Sequence, residues 1–338
     1  MNSADIATVK TLLSKPQKIV IVPHKNPDGD AMGSSLGLSH FLTYQGHNTT
    51  IVAPNDYPKF LKWLPGNGSV LNYERENTQA KKALSAASLI FTLDFNHLSR
   101  TGQMEGPLSE SDAVFIMIDH HQQPDSYAQV TFSNTDMSST CEMVYNFIAA
   151  LGGASKITPE IASCLYTGIM TDTGSFKYPS TTSKTHRIVA NLMDQGASHT
   201  AIHQRVFDNN SPSRLHLLGT TLNNLKILSE YATAYTSLSQ DELDRYGYKK
   251  GDTEGFVNYG LTLEGIKFAV IFIENKEEGI IKISFRSVGN FSVNEFARKH
   301  FNGGGHTNAA GGRSELKMEE TTAKFETILA DYKKQLLC

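Results

Sequence analysis

The stretch Ala113-Val-Phe-Ile-Met-Ile-Asp-His-His121 places an Asp-His-His run directly behind a run of apolar residues. A short apolar run of this kind is typical of a strand buried in a parallel sheet. Acidic side chains recur in three further segments: His24-Lys-Asn-Pro-Asp-Gly-Asp30, Phe91-Thr-Leu-Asp94 and Gly168-Ile-Met-Thr-Asp-Thr-Gly174. The first two of these also lie at the ends of strand-like runs, and open α/β sheets bind their ligands at the carboxyl ends of the strands. The sequence therefore predicts that these carboxylates and imidazoles converge at one edge of a sheet.

Apolar runs alternate with helical stretches through the first part of the chain. Strands are predicted at residues 18–23, 49–53, 89–94, 114–119 and, at a sheet edge, 130–132, and helices at residues 31–45 and 78–87. From residue 139 to residue 207 the pattern is helical, and Thr158 and Pro159 are expected to begin a helix that ends near Asp172. This order predicts an α/β fold with a mostly parallel sheet flanked by helices.

A second, smaller α/β domain is predicted beyond the segment Asn209-Asn-Ser-Pro-Ser213, which is polar and rich in turn-forming residues. Strand-like segments follow at residues 232–236, 267–273 and 280–285, with a helix near residues 293–300 and a charged helix at the C-terminus. For a chain of 338 residues, two domains are the natural expectation. We therefore predict a catalytic domain over residues 1–208, a linker region over 209–225 and a C-terminal domain over 226–338.

Charge and composition narrow the classes of protein to which this chain can belong. Its net charge of −3 argues against a protein that coats long nucleic acid, because such proteins carry a strong basic excess. No apolar run approaches the ~20 residues that cross a bilayer, and the first residues do not resemble a secretory signal. Three cysteines without a Cys-x-x-Cys pair argue against a disulfide framework or a thiolate zinc site. We expect a cytoplasmic protein that does not attach to a membrane.

The acidic segments combine carboxylates with imidazoles, which is the donor set of a metal centre. An aspartate after a strand is by itself often only a helix cap, but four such segments in one chain favour a common site. Hydrolysis of a phosphate ester needs a hydroxide, neutralisation of the phosphoryl group and a stabilised leaving oxygen, which two metal ions can supply together. Carboxylates favour Mg²⁺ or Mn²⁺ and imidazoles favour transition metals. We therefore expect two divalent ions, Mn²⁺ first, with Co²⁺, Fe²⁺ and Mg²⁺ as alternatives.

The four motifs and the later segment Gly303-Gly-Gly-His-Thr-Asn-Ala-Ala-Gly-Gly312 resemble the DHH phosphoesterase family with its glycine-rich C-terminal domain. Chain length and the Ser34-Ser35 pair are most similar to its NrnA-type subgroup. The resemblance implies an enzyme that degrades very short RNA and dephosphorylates 3′-phosphoadenosine 5′-phosphate (pAp). It also implies these roles: His24 and Asp28 bind the first metal; Asp30, His120 and Asp172 bind the second; Asp94 bridges both; His121 contacts the scissile phosphate; and Asp119 orients its neighbours.

Further residues are expected to bind substrate. Gly304 and Gly305 let the backbone approach a phosphate, and His306 can add a hydrogen bond or a positive charge. Arg286 follows a strand-like run and offers a planar fork for a terminal phosphate, and Arg100 is expected to meet another phosphate. We expect the two domains to face each other across a cleft that accepts short RNA or a small nucleotide but gives no track for a long strand.

Other functions fit parts of the same pattern. The site could serve a cyclic dinucleotide or its linear products pApA and pGpG, and the sequence does not separate these substrates from short RNA. A manganese pyrophosphatase would share the first motifs, but the glycine-rich segment argues against it. A catalytically dead nucleotide-binding module would have lost a ligand, and none of the expected ligands is missing. The apolar helical region over residues 139–207 offers a surface for a homodimer.

Overall fold

The computed structural model describes residues 2–337. Their contacts divide the chain into two compact units, one ending at Asn209 and one beginning at Asn210. Each unit holds a six-stranded sheet. None of the helices formed by these residues combines the length and the apolar character that a membrane span requires.

The sheet of the first unit is parallel throughout, with the strand order β3-β2-β1-β4-β5-β6. Its strands are β1 (Lys18–Pro23), β2 (Asn48–Ala53), β3 (Leu71–Asn72), β4 (Leu89–Leu93), β5 (Val114–Asp119) and β6 (Val130–Ser133). The predicted strands are confirmed, including the edge position of β6. The chain runs outward from β1 through β2 to β3, then returns to the other side of β1 with β4. This reversal between β1 and β4 creates a topological switch point, where open α/β sheets bind ligands.

Helices surround this sheet and supply the rest of its core. They are α1 (Ser3–Leu12), α2 (Gly29–Tyr44), α3 (Asn77–Ala86), α4 (Glu105–Ser109), α5 (Thr140–Ala150), α6 (Pro159–Asp172), α7 (Ser183–Asp194) and α8 (His199–Phe207). Helices α2, α5 and α6 pack on one another. The approach of α2 to α6 requires glycine, because a Cβ on Gly33 would lie 2.5 Å from the carbonyl oxygen of Cys164. This packing brings the start of α2 beside the end of α6.

Two helix starts follow from local side chains. Thr158 caps α6 by accepting from the amide of Ile161 at 3.4 Å, Pro159 is its first residue, and Asp172 is its last, as predicted. Helix α2 begins two residues earlier than expected, at Gly29, because Asp28 accepts from two amides of its first turn at 3.0 Å each. The acidic motif after β1 is therefore both a helix cap and a candidate ligand group.

The second unit has a mixed sheet in the order β11-β12-β10-β9-β8-β7, in which only β8 and β9 are parallel among the described residues. Its elements are α9 (Pro212–Asn223), β7 (Lys226–Leu228), β8 (Thr233–Leu238), α10 (Gln240–Arg245), β9 (Phe268–Asn275), β10 (Ile280–Ser287), α11 (Val293–His300), β11 (Gly304–His306), β12 (Ala309–Ser314) and α12 (Met318–Leu337). Aromatic rings fill its core, with Phe268 against Phe296 at 5.2 Å and against Phe325 at 5.7 Å between centroids. Helix α9 lies within the predicted linker region 209–225 and belongs to this unit.

The glycine-rich segment forms the hairpin β11–β12. Its glycines let the two strands approach each other closely. A Cβ on Gly303 would overlap the carbonyl oxygen of Gly311, and one on Gly305 would lie 2.5 Å from the carbonyl oxygen of Ala309. The amide of Gly305 donates to Oδ1 of Asn294 at 3.0 Å. The close approach of backbone to backbone explains these glycines.

Candidate metal centre

The ligand residues predicted from the sequence gather at the carboxyl edge of the parallel sheet. His24 follows β1 and Asp94 follows β4, so these two residues flank the switch point. His120 follows β5, the next strand on the same side. Helix α2 contributes Asp30 in its first turn, and helix α6 contributes Asp172 as its last residue. Three strands and two helices thus deliver side chains to one place.

A first cluster is formed by His24, Asp28 and Asp94, whose donor atoms all lie within 4.8 Å of one another. Nε2 of His24 lies 3.4 Å from Oδ2 of Asp94 and 3.9 Å from Oδ1 of Asp28. Nδ1 of His24 lies 2.8 Å from the carbonyl oxygen of Lys25. A hydrogen bond donated by Nδ1 to a carbonyl keeps Nε2 of the neutral ring available as a ligand. The cluster therefore has donor atoms that suit a metal ion, and the contact at Nδ1 favours the tautomer in which Nε2 is the ligand.

A second cluster is formed by Asp30, His120 and Asp172, also within 4.8 Å of one another. Nε2 of His120 lies 3.7 Å from Oδ2 of Asp30 and 3.6 Å from Oδ2 of Asp172. Its Nδ1 lies 3.2 Å from the carbonyl oxygen of Met137, which favours the same tautomer as in the first cluster. Asp30 and His120 are buried, so this cluster lies deeper than Asp28, whose side chain is 46% exposed.

Asp94 connects the two clusters. Its Oδ2 faces His24, and its Oδ1 lies 3.5 Å from Nε2 of His120. Its backbone is in the left-handed region, with φ 66°, and its amide donates to the carbonyl oxygen of Ile118 at 3.1 Å. Left-handed backbone is uncommon for residues other than glycine, although aspartate adopts it more readily than most. The turn after β4 thus presents one carboxylate oxygen to each cluster.

His121 and Asp119 form a pair beside the shared carboxylate. Nδ1 of His121 lies 2.7 Å from Oδ1 of Asp119 and 3.8 Å from Oδ1 of Asp94. Asp119 is fully buried, and its Oδ2 has no hydrogen-bond partner among residues 2–337. A carboxylate bonded to one ring nitrogen fixes the orientation of the imidazole and the position of its other nitrogen.

The electrostatics of the two clusters reflect how closely the carboxylates pack. Burial, together with repulsion from Asp94 and Asp172, raises the pKa of Asp30 well above its usual range. Burial also raises the pKa of Asp172 to about 6. Burial opposes the charge on His120, but its hydrogen bond with Asp94 and the charge of Asp172 raise its pKa well above the usual value. Carboxylates this close need positive charge among them, which protonated imidazoles or divalent cations can supply.

The start of helix α5 bonds to two of the candidate ligands, Asp30 and Asp94, and the sequence interpretation gave its residues no role. The amides of Thr140 and Cys141 donate to the two oxygens of Asp30, at 2.6 Å and 2.8 Å. The Thr140 hydroxyl lies 3.0 Å from Oδ1 of Asp94. The segment Ser139-Thr-Cys-Glu142 has the S-x-x-E pattern of a helix start, and Ser139 does cap α5. That pattern predicts where α5 starts. It does not predict that the start of α5 contacts Asp30 and Asp94.

A second support, also not anticipated, holds the loop of the first cluster. Asn55, just after β2, accepts from the amide of Asn26 at 2.7 Å and donates from Nδ2 to Oδ1 of Asn26 at 2.7 Å. Asn26 has φ 57°, so its backbone is in the left-handed region. These two bonds fix the turn between His24 and Asp28.

The predicted substrate-binding residues lie in two places. In the first unit, the carbonyl oxygen of Arg100 accepts from the amide of Lys25 at 2.7 Å, which joins its segment to the His24 loop. In the second unit, strand register pairs His306 with Ala309 and Ala309 with Arg286. Directly paired residues point to the same face of a sheet, so His306 and Arg286 share a face with the small Ala309 between them. Gly304 and Gly305 lie in the same short strand as His306.

Comparison with known proteins agrees with this geometry. Residues 18–169 match the family model described as the DHH family, N-terminal domain, and residues 229–335 match the DHHA1 domain. The bifunctional oligoribonuclease and PAP phosphatase NrnA of Thermus thermophilus is 31% identical over 94% of this chain and 90% of its own length. The protein of the same name from Bacillus subtilis is 28% identical over 93% of this chain and 95% of its own length. The crystal structure of an exopolyphosphatase-related protein from Bacteroides fragilis is 42% identical, covers 99% of this chain and 98% of its own, and superposes with a TM-score of 0.95.

Proposed function

This chain belongs to the DHH family and is a hydrolase of phosphate esters, and from that premise we propose that it uses two divalent metal ions, Mn²⁺ foremost, to hydrolyse short oligoribonucleotides and pAp. The observation that carries the proposal is the pair of three-residue clusters, of which the first contains Asp94 and the second has His120 at 3.5 Å from the other oxygen of Asp94. Two ligand sets joined by one carboxylate are the arrangement that a two-metal centre requires.

The residues present fit a pair of divalent cations. The donor set contains oxygen and imidazole ligands without thiolate, which suits Mn²⁺. His24, Asp28 and Asp94 would hold one ion, and Asp30, His120 and Asp172 would hold the other, with Asp94 near enough to His120 to serve both. When bound, the ions would lower the pKa of a water molecule and neutralise the charge that develops on the phosphoryl group.

His121 and Asp119 have a different part in the proposal. Asp119 engages Nδ1 of His121 at 2.7 Å and so fixes the orientation of the ring beside Asp94. We assign to this ring a contact with an oxygen of the scissile phosphate, where a held imidazole can stabilise negative charge. The role of Asp119 is to position this ring. Arg100, in the segment bonded to the His24 loop, would neutralise a second phosphate.

The second unit would hold the part of the substrate that does not react. Arg286 and His306 share a face of its sheet, so a guanidinium and an imidazole lie on the same side of the sheet as one ligand would. A guanidinium fork fits a phosphate or the edge of a base, and the backbone at Gly304 and Gly305 carries no Cβ that would obstruct a phosphate. The names of the relatives from Thermus thermophilus and Bacillus subtilis support oligoribonucleotides and pAp as substrates.

A panel of substrates tests the proposal. Release of phosphate or mononucleotide would be measured with Mn²⁺ on pAp, a five-nucleotide RNA, a twenty-nucleotide RNA, pApA, pGpG, a cyclic dinucleotide and pyrophosphate. We expect pAp and the five-nucleotide RNA to be turned over fastest. Faster cleavage of the twenty-nucleotide RNA would refute the preference for short substrates. Dominant activity on a cyclic dinucleotide or on pyrophosphate would replace the proposed substrate class while leaving the centre intact.

Two histidine variants test whether the clusters perform the chemistry. His120→Ala removes a ligand of the second cluster and should abolish turnover. His97→Ala is a matched control, because His97 is exposed and pairs with Asp125 at 3.3 Å, outside the clusters. Turnover by His120→Ala at the rate of His97→Ala would eliminate the two-metal proposal.

A further inference from the structure

We propose that Thr140 is a positioning residue that sets the orientation of the Asp94 carboxylate shared by the two clusters, an inference that rests on the two-metal function proposed above. Thr140 is the first residue of α5 and is fully buried. Its hydroxyl lies 3.0 Å from Oδ1 of Asp94, and its amide donates to Oδ2 of Asp30 at 2.6 Å. One residue therefore contacts the shared ligand and a ligand of the second cluster.

The shared carboxylate needs such a partner because its own torsion is soft. Rotation about the terminal bond of an aspartate has broad minima, so the plane of the carboxylate is not fixed by the side chain alone. Asp94 has to present Oδ2 to His24, at 3.4 Å, and Oδ1 to His120, at 3.5 Å. A hydrogen bond donated to only one of the two oxygens, Oδ1, restricts the rotation of the carboxylate and so keeps one oxygen toward each cluster. The Thr140 hydroxyl can donate this bond without adding charge to the centre.

The hydroxyl is not required to start the helix. Ser139 is the cap of α5, because its Oγ accepts from the amide of Glu142 at 3.0 Å. Within residues 2–337 the Thr140 hydroxyl bonds to Asp94 alone. Removing it should therefore affect the shared carboxylate more than the fold.

Titration of metal-stripped protein with Mn²⁺ tests the role, with free Mn²⁺ followed by electron paramagnetic resonance. Thr140→Val keeps the shape of the side chain and both hydrogen bonds that backbone amides donate to Asp30, but it removes the hydroxyl. Thr140→Ser keeps the hydroxyl. Thr221→Val is the control, because Thr221 is 1% exposed and its hydroxyl bonds within α9 at 2.8 Å, in the second unit. We expect Thr140→Val to bind Mn²⁺ about 10–100-fold more weakly than the wild type, as for other partners of metal ligands. Thr140→Ser and Thr221→Val should bind it as the wild type does.

Each other outcome has a defined meaning. Wild-type affinity in Thr140→Val, or an equal loss in Thr140→Ser, overturns the role of the hydroxyl. A wild-type chain that does not bind two Mn²⁺ ions overturns the two-metal function itself. Urea unfolding of the metal-free proteins checks that each variant is folded. If valine prevents folding, Thr140→Ala against Thr140→Ser gives the same comparison without the added methyl group.

Discussion

Gly168→Ala should damage both the fold and the metal centre, because Gly168 lies where three buried elements meet. This residue of α6 is packed against α2 and α5. A Cβ at this position would overlap Sγ of Cys141 and would lie 2.9 Å from Oδ1 of Asp30 and 3.0 Å from its Cα. Ordinary van der Waals contact begins at about 3.5 Å, so Oδ1 of Asp30 would have to move away from the new Cβ by roughly 0.6 Å.

The size of this shift of Asp30 determines how much stability and Mn²⁺ affinity the variant should lose. Overpacking of a buried site costs ~1–3 kcal/mol, and the gain in helix propensity from glycine to alanine offsets at most ~1 kcal/mol of it. Metal coordination tolerates displacements of only about 0.2 Å. A shift of Asp30 three times larger should therefore weaken Mn²⁺ binding as well as lower the free energy of unfolding.

Urea unfolding of metal-free protein, followed by circular dichroism with and without Mn²⁺, measures both effects. Gly219→Ala is the matched control, because Gly219 lies in α9, is exposed, and a Cβ there would meet nothing within 4 Å. The control should raise the free energy of unfolding by ~0.5–1 kcal/mol through helix propensity, while Gly168→Ala lowers it. A Gly168→Ala protein as stable as the control, with the wild-type response to Mn²⁺, would refute the reasoning.

Three further outcomes are expected. Asn55→Ala removes two hydrogen bonds from the Asn26 turn. This should lower the free energy of unfolding by about 1–3 kcal/mol and weaken Mn²⁺ binding. An unchanged midpoint of urea unfolding and an unchanged Mn²⁺ binding isotherm would contradict this. Because burial raises the pKa of Asp172 to about 6, a growing fraction of this side chain is protonated as the pH falls toward that value. Mn²⁺ affinity should therefore fall with the pH, and Mn²⁺ binding should release protons. Calorimetry in buffers of different ionisation enthalpy measures the proton release, and an Mn²⁺ affinity that does not change with pH would count against this prediction. Arg286→Gln should raise the KM for pAp about 10–100-fold through loss of a charge-assisted hydrogen bond. The control Lys282→Gln, on the same strand, should leave this KM unchanged. Equal KM values for the two variants would exclude Arg286 from substrate binding.

The parts of the centre that follow strands could be predicted from the sequence. Strands β1, β4 and β5 are mostly apolar, and an acidic or imidazole side chain ends or directly follows each strand. Parallel strands place such ends at one edge, so the convergence of His24, Asp94 and His120 follows from chain order and sheet rules.

The supports behind the ligands could not be predicted in this way. Thr140 bonds to an aspartate 46 positions earlier, and Asn55 bonds to an asparagine 29 positions earlier. These partnerships depend on how α5 and β2 pack beside β1 and β4, which the local pattern does not specify. Glycine is a weak strand former, so the local pattern does not predict the hairpin β11–β12, and the close approach of Gly303 to Gly311 is visible only in the folded chain.

The bond between Asp30 and the start of α5 joins positions 110 residues apart, and Asp172 comes later still. A polypeptide emerging from the ribosome has the first acidic motif long before it has the partners of that motif. Until α6 has been made, the second cluster lacks one of its side chains. Cation binding at the second cluster would therefore have to follow synthesis of α6, and a truncated product that ends before α6 would keep only the first of the two clusters, His24, Asp28 and Asp94, as a complete set.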